Sequence, residues 1–390
     1  MSRPCLRTAF CEQFGVEYPV ILAGMGPVAG GVMGPVATRE LASAVSNAGG
    51  LGVIGGVSYP PEQLRGEIRA LRRLTDRPFG VDLLLPGAFL GPGAGRAQPP
   101  PPEALERSRA GLRHLAAELG IDWRQAPPAP PPAPLPAGMG WADAQMEVVI
   151  EERVPVFASG LGSPGPWVDR LRERGTRILS LVGNVHSACR VAESGVDAVV
   201  AQGTEAGGHT GRIATLALVP QVIDAVTPIP VIAAGGIADG RGLAAVLALG
   251  AVGAWCGTAF LVAEEANQPD LQKRRILEAA AEDTVVTRLY SGKTMRNITN
   301  PLIEAWERSG LQALPMGEQG FLVRDLVHSI RAAGREELLM NAAGQTAGML
   351  REIRPARVIL EEMVEQAAAI LDGGLASRVE ARAGGFSDTH

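Results

Sequence analysis

Short apolar runs closed off by glycine or proline, alternating with segments of helical period, restrict the fold of this chain more than any other feature. The runs are Pro19 to Ala23, Leu51 to Ile54, Phe79 to Leu85, Pro155 to Ala158, Arg177 to Val182, Ala198 to Ala201, Pro230 to Ala234 and Ala254 to Leu261. Between them lie helical patterns: Thr38 to Ala48, Pro61 to Leu74, Ala142 to Glu152, His186 to Ser194, Ala214 to Val226 and Arg241 to Leu249. Apart from one long gap, successive runs start 21 to 32 residues apart, the rhythm of parallel strands joined by crossover helices. Eight such units fit a doubly wound sheet or a closed barrel. The glycines after the first run read Ala23-Gly24-Met25-Gly26-Pro27, without the Gly-x-Gly-x-x-Gly spacing that opens a dinucleotide fold. The expectation is therefore an α/β chain forming a (β/α)8 TIM barrel, whose active site sits on the loops after the strands.

The long gap contains a proline-rich insertion, residues 86–136, with 13 of the 30 prolines. Proline donates no ladder hydrogen bond and favours extended, hydrated backbone. Glu103 to Leu119 reads as a charged amphipathic helix between two proline-rich arms, serving as a surface excursion or as a lid. After Leu261 the rhythm gives way to charged helices, Asp270 to Glu282, Phe321 to Arg331 and Val358 to Leu371. The expected division is a barrel over 14–263, a mainly helical subdomain over 264–373 and a frayed tail over 374–390. Leu243 to Ala263 is 21 residues without a charge, long enough to cross a bilayer. Gly250 and Gly253 break it into a helix-like and a strand-like half, so it reads as a buried αβ junction. The first 11 residues hold no apolar run of signal-peptide type. No membrane association is expected.

Composition narrows the partners. With 36 Lys and Arg against 41 Asp and Glu, the net charge of -5 offers no basic field for nucleic acid. Cys5, Cys11, Cys189 and Cys256 have neither Cys-x-x-Cys nor metal-ligand spacing, which points to a reducing, cytoplasmic setting and no metal. The chain carries 49 glycines, and glycine allows tight turns and close backbone approach to a ligand. Two glycine sites fall where barrels bind phosphate, after strands seven and eight: Gly235-Gly236-Ile237-Ala238-Asp239-Gly240 and Gly257-Thr258. In the first, bare amides and a helix N-terminus suit an anion. After the sixth run comes Gln202-Gly203-Thr204-Glu205-Ala206-Gly207-Gly208-His209-Thr210-Gly211. His209 follows a glycine pair at the barrel mouth, where an imidazole can take a proton from carbon or hold an anion. Glu205 is a candidate partner for it, or a solvated loop carboxylate. His114, His186, His328 and His390 carry no such context, and Ser, Cys and Lys nucleophile signatures are absent.

Gln202 to Gly211, Val231 to Gly236, Gly257-Thr258 and Ala44-Val45-Ser46-Asn47-Ala48-Gly49-Gly50-Leu51-Gly52 resemble the nitronate monooxygenase family, formerly the 2-nitropropane dioxygenases. The same signature occurs in the FMN-dependent type II enoyl-acyl carrier protein reductases and in a group of NADH:quinone reductases. The resemblance runs from about Phe14 to Leu371 outside the insertion. It implies a barrel holding one FMN noncovalently, with flavin contacts falling on Met25, Asp82, Gln202, Gly207, Gly235, Gly236, Gly257 and Thr258, and the catalytic histidine on His209. The implied reaction is oxidation of an alkyl nitronate or nitroalkane by oxygen to a carbonyl compound and nitrite. The position of Asp82 is commonly Asn in the monooxygenases, and an ionised Asp cannot donate to a flavin carbonyl. Asp82 then contacts a flavin N–H, or the contact is lost. Gly160, in Ala158-Ser159-Gly160-Leu161-Gly162, looks more like the reductase branch; Ala343 to Gly348 is shared by several branches.

The alternative reading is an NAD(P)H-dependent FMN reductase acting on a quinone or an enoyl thioester. A third is a flavin-binding partner protein that docks another protein through its insertion. Ser291-Gly292-Lys293-Thr294-Met295-Arg296-Asn297 places two cations in a glycine-containing loop. They are solvated there, or they fold over the barrel mouth to attract an anionic substrate or nicotinamide phosphates. Oligomeric state has no signature.

Overall fold

The computed structural model describes residues 5–27, 34–85, 100–128 and 140–375. Its core is built from β1 (Val20–Leu22), β2 (Gly52–Gly55), β3 (Phe79–Leu84), β4 (Val156–Leu161), β5 (Arg177–Val182), β6 (Ala198–Gln202), β8 (Val231–Ala234) and β9 (Gly253–Cys256). These strands pair in parallel in the order β1-β9-β8-β6-β5-β4-β3-β2. A parallel bridge between Ile21 and Leu51 joins the two ends. The expected (β/α)8 barrel is thus present.

Alternation explains the barrel. Ala198, Val200, Ile232 and Ala234 fill its interior with Val53, Leu179 and Trp255, while their neighbours Val199, Ala201, Val231 and Ala233 pack against the outer helices. Burial of a Val or Ile side chain contributes about 1.5–3 kcal/mol, so a one-residue slip of any strand would be costly. Helix α1 (Ala9–Phe14) closes the floor, where Phe10 and Phe14 stack with ring centroids 4.5 Å apart in the same inner cluster.

The ring comprises α2 (Arg39–Asn47), α3 (Pro61–Leu74), α5 (Trp141–Glu151), α6 (Val168–Glu173), α7 (Val185–Glu193), α8 (Thr215–Val226) and α9 (Gly240–Ala248). Helix α6 was not expected, since six residues show little periodicity. The uncharged run Leu243 to Ala263 divides as expected, but its second half is β9 followed by the short helix α10 (Thr258–Leu261), not one strand. No helix among the described residues is long and apolar enough to cross a membrane.

Beyond α10 come α11 (Asp270–Glu278), β10 (Thr284–Thr287), β11 (Met295–Ile298), α12 (Pro301–Ser309), α13 (Glu318–Ala332) and α14 (Ala356–Ala369). Strand β11 and helix α12 depart from expectation. Arg296 and Asn297 made β11 look like a loop, yet both are buried, with Arg296 donating to Thr204 O and Thr284 O. Helix α12 is set by Asn300, whose side chain accepts from the Ile303 amide, and by Gly310 in the left-handed region. Helix α14 packs against α9 and α2, the place of the barrel's eighth helix.

Within the insertion, α4 (Pro102–Glu118) forms as expected and lies against α12 and α13. The Arg124 amide donates to Ser329 Oγ at 2.8 Å and the Ala126 amide to Asp325 Oδ1 at 3.1 Å. None of residues 100–128 lines the cavity described below. The described part of the insertion braces α13 and does not cover the barrel mouth. Residues 86–99, 129–136 and the tail from 376 lie outside the described residues.

Candidate active site

A cavity of about 560 Å3 opens at the carboxyl ends of the strands. Met25, Asp82, Gln202, Gly207, His209, Gly235, Gly236, Gly257 and Thr258 all line it. Residues separated by more than 200 positions in the sequence therefore meet at one end of the barrel. The walls are otherwise mainly apolar, with Val57, Leu181, Ile237 and Trp255 from the barrel side and Val323 and Val327 from α13.

Gly235 and Gly236 both have positive φ, 90° and 74°, a region that a Cβ makes costly. Among the described residues the N–H groups of Gly236, Ile237 and Gly257 donate to no other atom of the chain. Thr258 Oγ1 accepts the Gly344 amide at 2.9 Å, which leaves its proton for a ligand. The α9 terminus is different. Asp239 accepts from the Arg241 and Gly242 amides, and Gln366 Oε1 accepts from Gly240. The helix N-terminus expected to help hold an anion is thus already occupied by the chain's own acceptors.

Asp82 is wedged between two backbones. Its Oδ1 accepts from the Gly160 amide at 2.8 Å, and a Cβ placed on Gly24 would come within 2.2 Å of the Asp82 Cβ. Only 8% of the residue is exposed. Burial pushes its carboxyl well above the usual carboxylate range, opposed only by the Gly160 amide. A protonated Asp82 is a donor as well as an acceptor. The direction of the shift favours the protonated form, the form in which Asp can donate as Asn does.

His209 belongs to β7 (Gly208–His209), which pairs antiparallel with β11 through His209 and Met295. Its Nε2 lies 2.8 Å from Ser291 Oγ, and that hydroxyl also accepts the Lys293 amide at 3.3 Å. Burial, then the nearby Lys293 charge, push the imidazole down to about 4. It is therefore neutral near pH 7. Glu205 does not pair with His209 but, half-buried at the cavity wall, is held by the chain. Both its carboxylate oxygens accept from the Thr215 amide at 3.0 Å, anchoring the first turn of α8.

Of the two readings for Lys293 and Arg296, solvated or folded over the mouth, the second is not met. Arg296 is fixed in the β10–β11–β7 sheet, and neither it nor Lys293 lines the cavity. What the sequence did not assign to the site is the wall itself: Tyr290, the Ser291 hydroxyl, the α13 face carrying Gly320, Val323, Arg324 and Val327, and Met340, Ala342 and Thr346. The α13 face had a readable signal, a cation within small and apolar residues at helical spacing.

The nitronate monooxygenase family model matches residues 11–366. A Mycobacterium tuberculosis protein named as a monooxygenase is 37% identical over 376 residues, covering 93% of this chain and 96% of its own. Among solved structures, nitroalkane oxidase from Streptomyces ansochromogenes superposes with a TM-score of 0.77 at 31% identity, covering 94% of this chain and 99% of the other. FabK from Thermotoga maritima, an enoyl-acyl carrier protein reductase, does so with 0.72 at 32% identity, covering 96% and 100%.

Proposed function

Since the chain belongs to the nitronate monooxygenase family and is an oxidoreductase, we propose that it oxidises alkyl nitronates with FMN and oxygen, giving a carbonyl compound and nitrite. The observation that carries this reading is the cavity itself: apolar walls, unpaired glycine amides and a neutral imidazole at one barrel mouth. Gly235, Gly236, Gly257 and Thr258 would hold the cofactor phosphate. Met25, Asp82, Gln202 and Gly207 would meet the ring, with Asp82 donating as Asn does elsewhere. When bound, FMN supplies the electron acceptor for the nitronate.

The protein's own groups do the rest. The Ser291 hydroxyl orients the His209 ring through Nε2, and the ring holds a proton taken from the carbon next to a nitro group. A base is most effective when its pKa lies near the working pH. One held down to about 4 is poorly matched to a neutral nitroalkane, so the preformed nitronate, which needs no deprotonation, is the better substrate.

The structural likeness to FabK at 32% identity, with Gly160 beside Asp82, supports an NAD(P)H-dependent reductase as the second reading. Anaerobic mixing separates the two. Purified protein should be yellow and release FMN on heating, and ethylnitronate should reduce its flavin faster than NADH or NADPH does. Rapid bleaching by a nicotinamide, with no response to nitronate, would assign the chain to reductase chemistry. A soluble, cytoplasmic enzyme is part of the proposal.

A further inference from the structure

Most of the cavity wall is uncharged, and the proposed anionic substrate calls for a counter-charge. Burial raises the Asp82 carboxyl well above its usual range, the Glu205 carboxylate is tied to Thr215, and His209 is uncharged near neutral pH. Among the described lining residues that leaves one side chain with a positive charge to offer, Arg324.

Arg324 lies on the cavity face of α13, and its guanidinium carbon sits 5.1 Å from the centre of the Phe321 ring. That ring contact supplies no hydrogen-bond acceptor to the guanidinium. Nε is buried without a hydrogen-bond partner, and no carboxylate among the described residues pairs with the group. Its neighbour Asp325 is engaged elsewhere, accepting the Ala126 amide of the insertion. The insertion thus braces the outer side of the helix whose inner side carries this cation. A partly buried guanidinium with unpaired donors is costly unless an acceptor completes it.

We propose that Arg324 is the anion-recognition residue of the cavity, pairing with the two oxygens of a nitronate or with a carboxylate on the same substrate. Both groups are planar and two-oxygened, and a guanidinium meets them with two parallel N–H donors. The assignment rests on the proposed nitronate chemistry for its biological meaning, but the recognition itself can be measured without turnover. It moves the substrate-attracting charge from Lys293 and Arg296 to a side chain on α13.

The test uses the flavin-loaded protein and two unreactive probes of equal shape, propanoate and propanamide, with binding followed by calorimetry. Losing one charge-assisted pair in Arg324→Met should weaken propanoate about 10- to 100-fold and propanamide by less than about threefold, with partial recovery in Arg324→Lys. In turnover, the KM of ethylnitronate should rise relative to that of neutral nitroethane. Addition of a carboxylate to the substrate tells which anion is held: if 4-nitrobutanoate responds to the substitution and ethylnitronate does not, Arg324 holds the carboxylate. Equal weakening of propanoate and propanamide, or unchanged propanoate affinity in a folded Arg324→Met protein, would overturn the assignment. Loss of nitronate oxidation with propanoate selectivity intact would fell the proposed reaction and leave Arg324 in place.

Discussion

His209→Asn is expected to lower turnover of nitroethane by about 100-fold or more while changing turnover of preformed ethylnitronate by less than about tenfold. The difference arises because only the neutral nitroalkane has a proton to lose. Since burial and Lys293 hold the imidazole down to about 4, the acid limb of kcat/KM for nitroethane should fall near that value and not near the ordinary 6.5. Ser291→Ala frees the ring from its 2.8 Å contact and should reproduce part of the loss, again with nitroethane affected more. Steady-state assays of nitrite release on both substrates across pH measure all of this. Equal losses on the two substrates would show that His209 shapes the pocket without moving a proton.

Asp82→Asn should stabilise the protein, by a margin that widens with pH. In the folded chain burial holds the carboxyl well above 3.8, whereas in the unfolded chain it titrates normally. Between those two values the folded state binds more protons, so wild-type stability falls as pH rises. Each pH unit across that window corresponds to about 1.4 kcal/mol. Asn keeps an acceptor for the Gly160 amide and has no charge to suppress. Thermal unfolding of both proteins without added flavin, from about pH 5 to pH 9, gives the comparison. A pH-independent gap, or an Asn variant that is less stable at high pH, would mean that Asp82 is ionised in the fold. If the widening gap is found, the family's Asn and this Asp present the same donor to a ligand by different means.

The barrel was legible because its signals are local and repeated. Apolar runs such as Arg177 to Val182 coincide with the strand, and glycines mark where strands stop. The proposed phosphate loops were legible for the same reason, since bare amides leave a trace in composition. Their helix terminus was not, because only the folded chain brings Gln366 to the Gly240 amide. Ser291 and Arg324 were missed as parts of the site for a different reason. Each reaches the cavity through long-range pairing, Ser291 by the β11–β7 contact with His209 and Arg324 by docking of α13. The helical spacing of the α13 face marks it as a candidate wall, but nothing adjacent in sequence says which cavity it meets. Asp82 shows a third limit: its residue type is plain in the sequence, but the upward shift of its carboxyl comes from burial between Gly24 and Gly160.

Helix α14 gives the molecule an order of assembly. It fills the groove between α9 and α2 with Leu360, Met363 and Ala367, all buried, yet it is made after every strand and after the whole segment that walls the cavity. During synthesis from the N-terminus, a ribosome that has translated all eight barrel strands carries a ring with one apolar slot open. The last helix closes that slot only after β11, α13 and the segment over Thr258 have been made. Completion of the barrel's outer layer is therefore a late event that follows the making of every cavity-lining residue, and a nascent chain halted before residue 356 would expose an apolar groove to chaperones and proteases.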